Sequence, residues 1–340
     1  MEKITDYRKD HYKKYLQLKD ILPLNTPLTL FIDPSNICNF KCLFCPTGDD
    51  NLLKKVSRPK GVMDFKLFCK LIDDIAQFNN KLKVLHLYKD GEPFINKNIC
   101  EMISYAKQKK VAENVATTTN GSLITKELAM GIIDADLDSI RISVEHPSRE
   151  GYKKLTQKDI DYHDIVESVS LLYHEKISKK SHLNIHIKII DTMLSEDEKK
   201  KFYEDFKNIC DTINIDSLMG WSNSSLKDFT LGIHPEVGMD GFTRIQSRKV
   251  CPEPFKSMAV NFDGSVSACC VDWSHNLIIG DSTKESLKDI WNGQKLNALR
   301  KLHLKKQKDE IMPCRNCQYM LGGSASSNLD QVADELLKKF

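Results

Sequence analysis

Apolar residues along this chain follow two different periods. Short apolar or β-prone runs occur at 28–32, 82–88, 114–118, 139–144, 183–190 and 213–218, and each reads as a strand. Helical patterns lie between them. Asp64 stands before Phe65, Phe68, Leu71, Ile72 and Ile75, a capping residue ahead of an apolar stripe, which predicts a helix over 64–78. The stretches 95–109, 126–133 and 161–175 read similarly. Ser195 and Glu198 form a capping box for a helix reaching Cys210. Six strands alternating with helices predict parallel βαβ units, either an open sheet or a barrel. In both geometries the working residues belong at the C-terminal ends of the strands.

The alternation breaks at 223–250, a stretch rich in Gly, Ser and Asp that predicts a linker or a loop over the barrel mouth. Beyond Cys251 short strands are expected at 257–261 and 266–268, around an Asp263-Gly264 turn. A helical stretch follows at 286–302 and a short helix at 330–340. The expected organisation is a lead-in helix within 1–26 that ends before Pro23, an α/β unit over 27–222 and a linker over 223–250. A small α+β module over 251–322 and a C-terminal helix over 323–340 complete it.

Charge narrows the function classes. Lys and Arg total 50 against 47 Asp and Glu among 340 residues, a net charge of +3. That balance carries no basic excess to steer the chain to nucleic acid. No apolar run approaches the roughly 20 residues that span a bilayer, and the first twenty residues are too charged for a secretion signal. A soluble, cytoplasmic protein with no membrane partner is expected. Eleven cysteines are many for that compartment and odd in number, which favours metal or thiol chemistry over a disulfide framework.

Cys38, Cys42 and Cys45 are spaced C-x3-C-x2-C directly after the first predicted strand. Three thiolates on one short loop are ligands for a soft metal or an iron–sulfur cluster. A cubane held by three cysteines keeps one iron open, whereas a structural zinc needs a fourth ligand from elsewhere. Cys251, Cys269, Cys314 and Cys317 form a second group that could hold zinc or a cluster, and spacing alone does not separate these. Cys270 is a spare neighbour of Cys269. Cys69, Cys100 and Cys210 are expected to be small buried hydrophobes.

The first cysteine motif, with Phe44 just before its third cysteine, resembles the radical S-adenosylmethionine (SAM) superfamily. The resemblance implies a partial (βα)6 barrel over about 28–218 and a [4Fe–4S] cluster on Cys38, Cys42 and Cys45. It also implies SAM bound at the open iron and cleaved reductively to a 5′-deoxyadenosyl radical. Asp90, Gly91, Glu92 and Pro93 resemble the Gly-Gly-Glu-Pro segment that receives the cofactor amine, with Asp90 in place of the first glycine. Thr119, Asn120 and Gly121 resemble the superfamily's Thr-Asn-Gly turn. Ser143 and Glu145 resemble its Ser-x-Asp/Glu pair near the ribose and methionyl groups. A carboxylate suits an ammonium or a ribose hydroxyl through charge-assisted hydrogen bonds.

The second cysteine group resembles the SPASM and twitch modules that follow such barrels. The pattern implies one auxiliary [4Fe–4S] cluster, and the spacing from Gly264 favours Cys269 over Cys270 as ligand. A single auxiliary cluster resembles the layout of the aminocyclitol dehydrogenases of that superfamily. It implies oxidation of a small carbohydrate- or cyclitol-like alcohol, with the auxiliary cluster accepting an electron and a donor such as flavodoxin or ferredoxin supplying the first one. Arg141 shares a strand face with Ser143 and Glu145, and His186 shares one with Lys188. Arg141 or Lys188 is the candidate to assist deprotonation; the plainer reading makes both barrel-interior charges paired with carboxylates. Three alternatives stand beside this. A radical epimerase would need a thiol hydrogen donor, Cys210 or Cys270. A peptide-modifying enzyme is disfavoured by the 26 residues ahead of the first strand. A non-catalytic zinc-binding module would make the motif matches coincidence.

Overall fold

The computed structural model describes residues 17–238, 241 and 243–340. Six parallel strands form in chain order: β1 (Thr29–Ile32), β2 (Leu82–Leu87), β3 (Ala112–Thr119), β4 (Ser139–Val144), β5 (Asn184–Asp191) and β6 (Thr212–Ser217). Each lies within two residues of its expected run. Helices Phe65–Ile75, Ile99–Lys109, Lys126–Asp134, Tyr162–Ser178 and Glu196–Phe206 connect or follow them, giving the expected partial barrel.

The caps explain where these helices begin. Asp64 accepts from the amides of Lys66 and Leu67, and the Ser195–Glu198 capping box closes in both directions. Alternate strand residues such as Leu85, Ile140, Ile142 and Ile187 are fully buried under the helices. The other parity puts His86, Arg141, Ser143, His186 and Lys188 on the inner face, so the lumen is polar.

Four features depart from expectation. The module beyond Cys251 is not a separate sheet: β7 (Ser257–Val260) pairs in parallel with β1, Ile32 opposite Val260. β8 (Ser265–Ser267) and β9 (Ile278–Asp281) extend it antiparallel, so one nine-stranded sheet runs β6-β5-β4-β3-β2-β1-β7-β8-β9. β9 was not anticipated, and neither were helices Asp50–Lys55 and Arg149–Thr156. The predicted stretch 286–302 breaks into Leu287–Trp291 and Gln294–Leu304 at Asn292 and Gly293. The terminal helix is shorter, Ala333–Leu337.

The predicted lead-in helix falls mostly on residues 1–16, outside the described residues; Leu18–Ile21 forms one helical turn. In the predicted linker, Val237 and Thr243 form an isolated bridge. Among the described residues no helix is long and apolar enough to cross a membrane.

Candidate active site and cluster cavity

The loop after β1 carries the first three cysteines and is held by backbone bonds. Cys45 N–H donates to Cys42 O at 3.1 Å, and Gly48 N–H to Cys45 O at 3.0 Å. The amides of Lys41 and Leu43 donate to Thr156 O and Leu155 O, so the unanticipated helix Arg149–Thr156 anchors this loop. Burial pushes the Cys38 thiol up to about 12 and raises Cys42 and Cys45, and thiolate neighbours raise the first two further. Glu145 adds to the repulsion at Cys38 and Cys42. Three half-buried thiols that oppose one another's ionisation suit a polynuclear iron centre, whose positive charge would favour their thiolate forms. Among the described residues no three His, Cys, Asp or Glu side chains converge on a point fit for one metal ion.

The resemblance motifs gather around this loop. A Cβ at Gly91 would overlap the carbonyl oxygens of Ser35 and Ile37, so glycine lets the segment after β2 lie against the cysteine loop. Glu92 N–H donates to Ile37 O at 2.9 Å. The Glu92 carboxylate is itself occupied. It accepts from Thr119 Oγ1 at 2.7 Å, Asn120 N at 2.8 Å and Phe94 N at 3.1 Å. Burial still pushes its pKa up to about 7 against those bonds. Asn120 Nδ2 donates to Asn39 Oδ1 at 2.8 Å, and Gly121 supplies the positive φ that closes the turn. Pro93 opens the 3-10 turn Pro93–Ile95.

At the end of β4, burial pushes Glu145 up to about 7, partly offset by Lys188; Ser143 pairs in register with Lys188. Phe44 packs with Leu155 and Leu218, and its carbonyl accepts from Trp221 Nε1 at 2.9 Å.

Asp90, the departure from the superfamily glycine, is the centre of a buried charge cluster. Lys89 Nζ lies 2.5 Å from Asp90 Oδ2, Arg58 NH1 3.8 Å and His275 Nε2 3.2 Å. Burial opposes the Asp90 charge, but Lys89, Arg58 and His275 outweigh it and hold the carboxyl well below the usual range. Burial and the Asp90 charge push the neighbouring Asp33 up to about 7. Arg58 also donates to Trp273 O at 3.2 Å and Lys89 to Asp272 O at 3.3 Å. These bonds bind the barrel mouth to the loop that follows Cys269.

Cys251, Cys269, Cys314 and Cys317 line one small cavity. Burial pushes Cys314 up to about 12 and raises Cys251 and Cys317; Cys269 is raised first by its hydrogen bond with Cys270 and then by burial. Two buried thiols, Cys251 and Cys269, and two half-buried ones, Cys314 and Cys317, on one cavity are a donor set that suits an iron–sulfur cluster. Cys270 is outside that lining. It nonetheless acts on Cys269, Cys317 and Tyr319 of the lining as well as on Tyr88. His303 lines the cavity as well, fully buried, with neither ring nitrogen hydrogen-bonded.

The proton-handling candidates sit on the inner face. Lys188 Nζ is 3.8 Å from Asp216 Oδ2. Arg141 acts electrostatically on His86 and Tyr88. His186 Nδ1 lies 2.7 Å from Thr212 Oγ1. Cys210 precedes β6 at the N-terminal end of the barrel, and its neighbouring charges are Asp211 and Lys176, so it lies away from the site and is not a hydrogen donor there. Cys100 packs against Gly131, as a small hydrophobe would. Arg58, Lys89, His275 and His303 belong to no motif and were missed; the available signals were Lys89 beside Asp90 at a strand end and His303 on an apolar helix stripe.

Fold and site together define an α/β-barrel protein with three cysteines on the loop after β1 and four cysteines lining a second cavity. The radical SAM superfamily model matches residues 32–215, more than half the chain, and an iron–sulfur cluster-binding domain model, SPASM, matches residues 251–318. The chain belongs to the radical SAM superfamily. Its cofactors are therefore a [4Fe–4S] cluster with SAM and auxiliary iron–sulfur, and the zinc-module alternative falls.

A stretch of 131 residues is 30% identical to a probable GTP 3′,8-cyclase of Methanocaldococcus jannaschii, covering 38% of this chain and 40% of that one. A Saccharolobus solfataricus protein of the same name is 34% identical over 134 residues, 38% and 39% of the two chains. The chain thus spans about two-fifths of the length of these curated relatives. Among solved structures, Streptococcus suis SuiB bound to S-adenosylmethionine aligns with a TM-score of 0.62 at 16% identity over 92% of this chain and 76% of that one. BtrN in complex with AdoMet and 2-DOIA aligns at 0.54 and 15%, over 85% and 92%. These likenesses establish the fold.

Proposed function

We propose that this enzyme oxidises a carbohydrate- or cyclitol-like alcohol by radical chemistry. Cys38, Cys42 and Cys45 would hold the SAM-binding cluster, and Cys251, Cys269, Cys314 and Cys317 one auxiliary cluster. The residues 90–93, 119–121, Ser143 and Glu145 would form the SAM site, with the Glu92 carboxylate shaping the Thr119–Asn120 turn through its three accepted bonds. When bound, these groups supply a 5′-deoxyadenosyl radical to take a carbinol hydrogen and an acceptor for the electron released as the carbonyl forms.

The observation that carries the reading is that four cysteines, Cys251, Cys269, Cys314 and Cys317, share the lining of the second cavity. Four protein thiolates leave no iron open to substrate, so electron transfer is the role that remains. The hydroxyl proton must also leave. The Arg141 guanidinium, with its planar set of N–H donors, serves to bind or orient. The Lys188–Asp216 pair has a carboxylate to receive the proton and an ammonium to stabilise the alkoxide. The partition into barrel, linker, auxiliary module and C-terminal helix is part of this proposal, with β7 welded to β1 across the first boundary.

The test is anaerobic turnover of carbinol-deuterated cyclitols and amino sugars. Oxidation predicts deuterium in 5′-deoxyadenosine and a carbonyl product short of two hydrogens. A product of unchanged oxidation level carrying a solvent hydrogen would replace this reading with epimerisation, for which Cys270 is the remaining thiol. Inertness of every such alcohol together with radical modification of a peptide would overturn the substrate class.

A further inference from the structure

His303 lies on helix Gln294–Leu304, on the same buried stripe as Leu296, Leu299 and Arg300. It is fully buried, and both ring nitrogens are shielded from solvent with no hydrogen-bond partner. A buried, unsatisfied donor costs on the order of 1–3 kcal/mol, so such groups in a folded protein point to a partner that occupies the adjoining space. The adjoining space here is the cavity walled by Cys251, Cys269, Cys314 and Cys317. A neutral imidazole has one N–H to give, and an iron–sulfur centre in that cavity presents sulfur acceptors. Four cysteines already meet the ligand requirement, so the ring is left to donate rather than to coordinate.

We infer that His303 is a positioning residue that donates an N–H hydrogen bond to a sulfur of the auxiliary cluster and thereby raises its reduction potential. A donor aimed at sulfur stabilises the more negative, reduced state, and hydrogen bonds to sulfur are among the levers that set cluster potentials. The inference rests on the four-cysteine cluster assignment and is independent of the alcohol substrate.

The test uses the reconstituted full chain labelled with 15N-histidine, with the auxiliary cluster reduced and read by pulsed electron paramagnetic resonance. A weak 15N coupling that disappears in His303→Leu supports the hydrogen bond. A strong coupling, typical of direct iron–nitrogen bonding, overturns it in favour of ligation. No histidine coupling overturns it in favour of a buried water satisfying the ring. A redox titration gives the second reading. His303→Leu should lower the reduced-to-oxidised ratio at fixed potential by about tenfold, or ~59 mV for one electron, and His303→Gln should recover part of it. A variant that holds its iron and titrates like the parent also overturns the inference. A parent enzyme with no second cluster signal would instead sink the four-cysteine assignment, and this inference with it.

Discussion

The Asp90 carboxylate lies 3.2 Å from Nε2 of His275, joining the loop after β2 to a loop 185 residues further along the chain. The same carboxylate neutralises Lys89 and Arg58, whose side chains have no solvent exposure. A superfamily glycine at this position could do neither. Asp90→Ala leaves two buried cations without their carboxylate. Breaking a buried pair by removing one partner costs about 3–5 kcal/mol, so chemical denaturation should show a loss of that order. A loss within about 0.5 kcal/mol, typical of surface changes, would contradict the clasp.

Glu92 accepts three bonds, two at Oε1 and one at Oε2. In Glu92→Gln an amide –NH2 must face one of those donors. The expected cost is about 1–3 kcal/mol of stability. The displaced Thr119–Asn120 turn should weaken SAM binding by about tenfold, equivalent to ~1.4 kcal/mol, as read by titration calorimetry.

The adjacent cysteines should behave differently. Cys269 lines the cavity and Cys270 does not. Cys269→Ala is expected to lower iron and sulfide by about four of each per chain. Cys270→Ala should keep both and retain the auxiliary signal. Iron and sulfide retained in Cys269→Ala would show that Cys270 can take its place as ligand, and equal losses in both variants would contradict the assignment of Cys269 alone.

His86 gives a pH test away from the cysteines. It stacks on Phe31 with ring centroids 4.6 Å apart and meets Tyr88 edge-on. Burial, then Arg141, lower its pKa to about 3 from an ordinary 6.5. Between those values the unfolded chain binds the extra proton and the native chain does not, so this group makes stability fall as pH drops from about 6.5 towards 3. His86→Phe keeps an aromatic ring and removes the proton. Its stability should fall less steeply over that window, by up to one proton's worth of slope, in denaturant titrations across pH. An unchanged slope would contradict the assignment.

The barrel strands were legible as apolar or β-prone runs, as with Ile140, Ile142 and Val144, all buried, in β4 and the threonines of β3. Helix Arg149–Thr156 was not, since Tyr152 and Leu155 are its only large apolar residues. It exists because Ser148 caps it at Gly151 N and the cysteine loop hangs from its end. β9 has four residues, and it forms by pairing with β8. The cysteines announced themselves by spacing. Arg58, His275 and His303 did not, because each acquires its meaning only from burial beside residues distant in the chain, and Lys89 beside Asp90 gained its meaning only once both were buried. The periodicity put Arg141 on one face with Ser143 and Lys188 on one with His186, but it could not show Asp216 Oδ2 within 3.8 Å of Lys188 Nζ.

The most direct test of the two-centre account is iron and sulfide per chain after anaerobic reconstitution. The account predicts about eight of each, two four-iron clusters. About four of each would contradict it, leaving one cluster and no built-in electron acceptor, and a redox-neutral radical reaction would then replace alcohol oxidation.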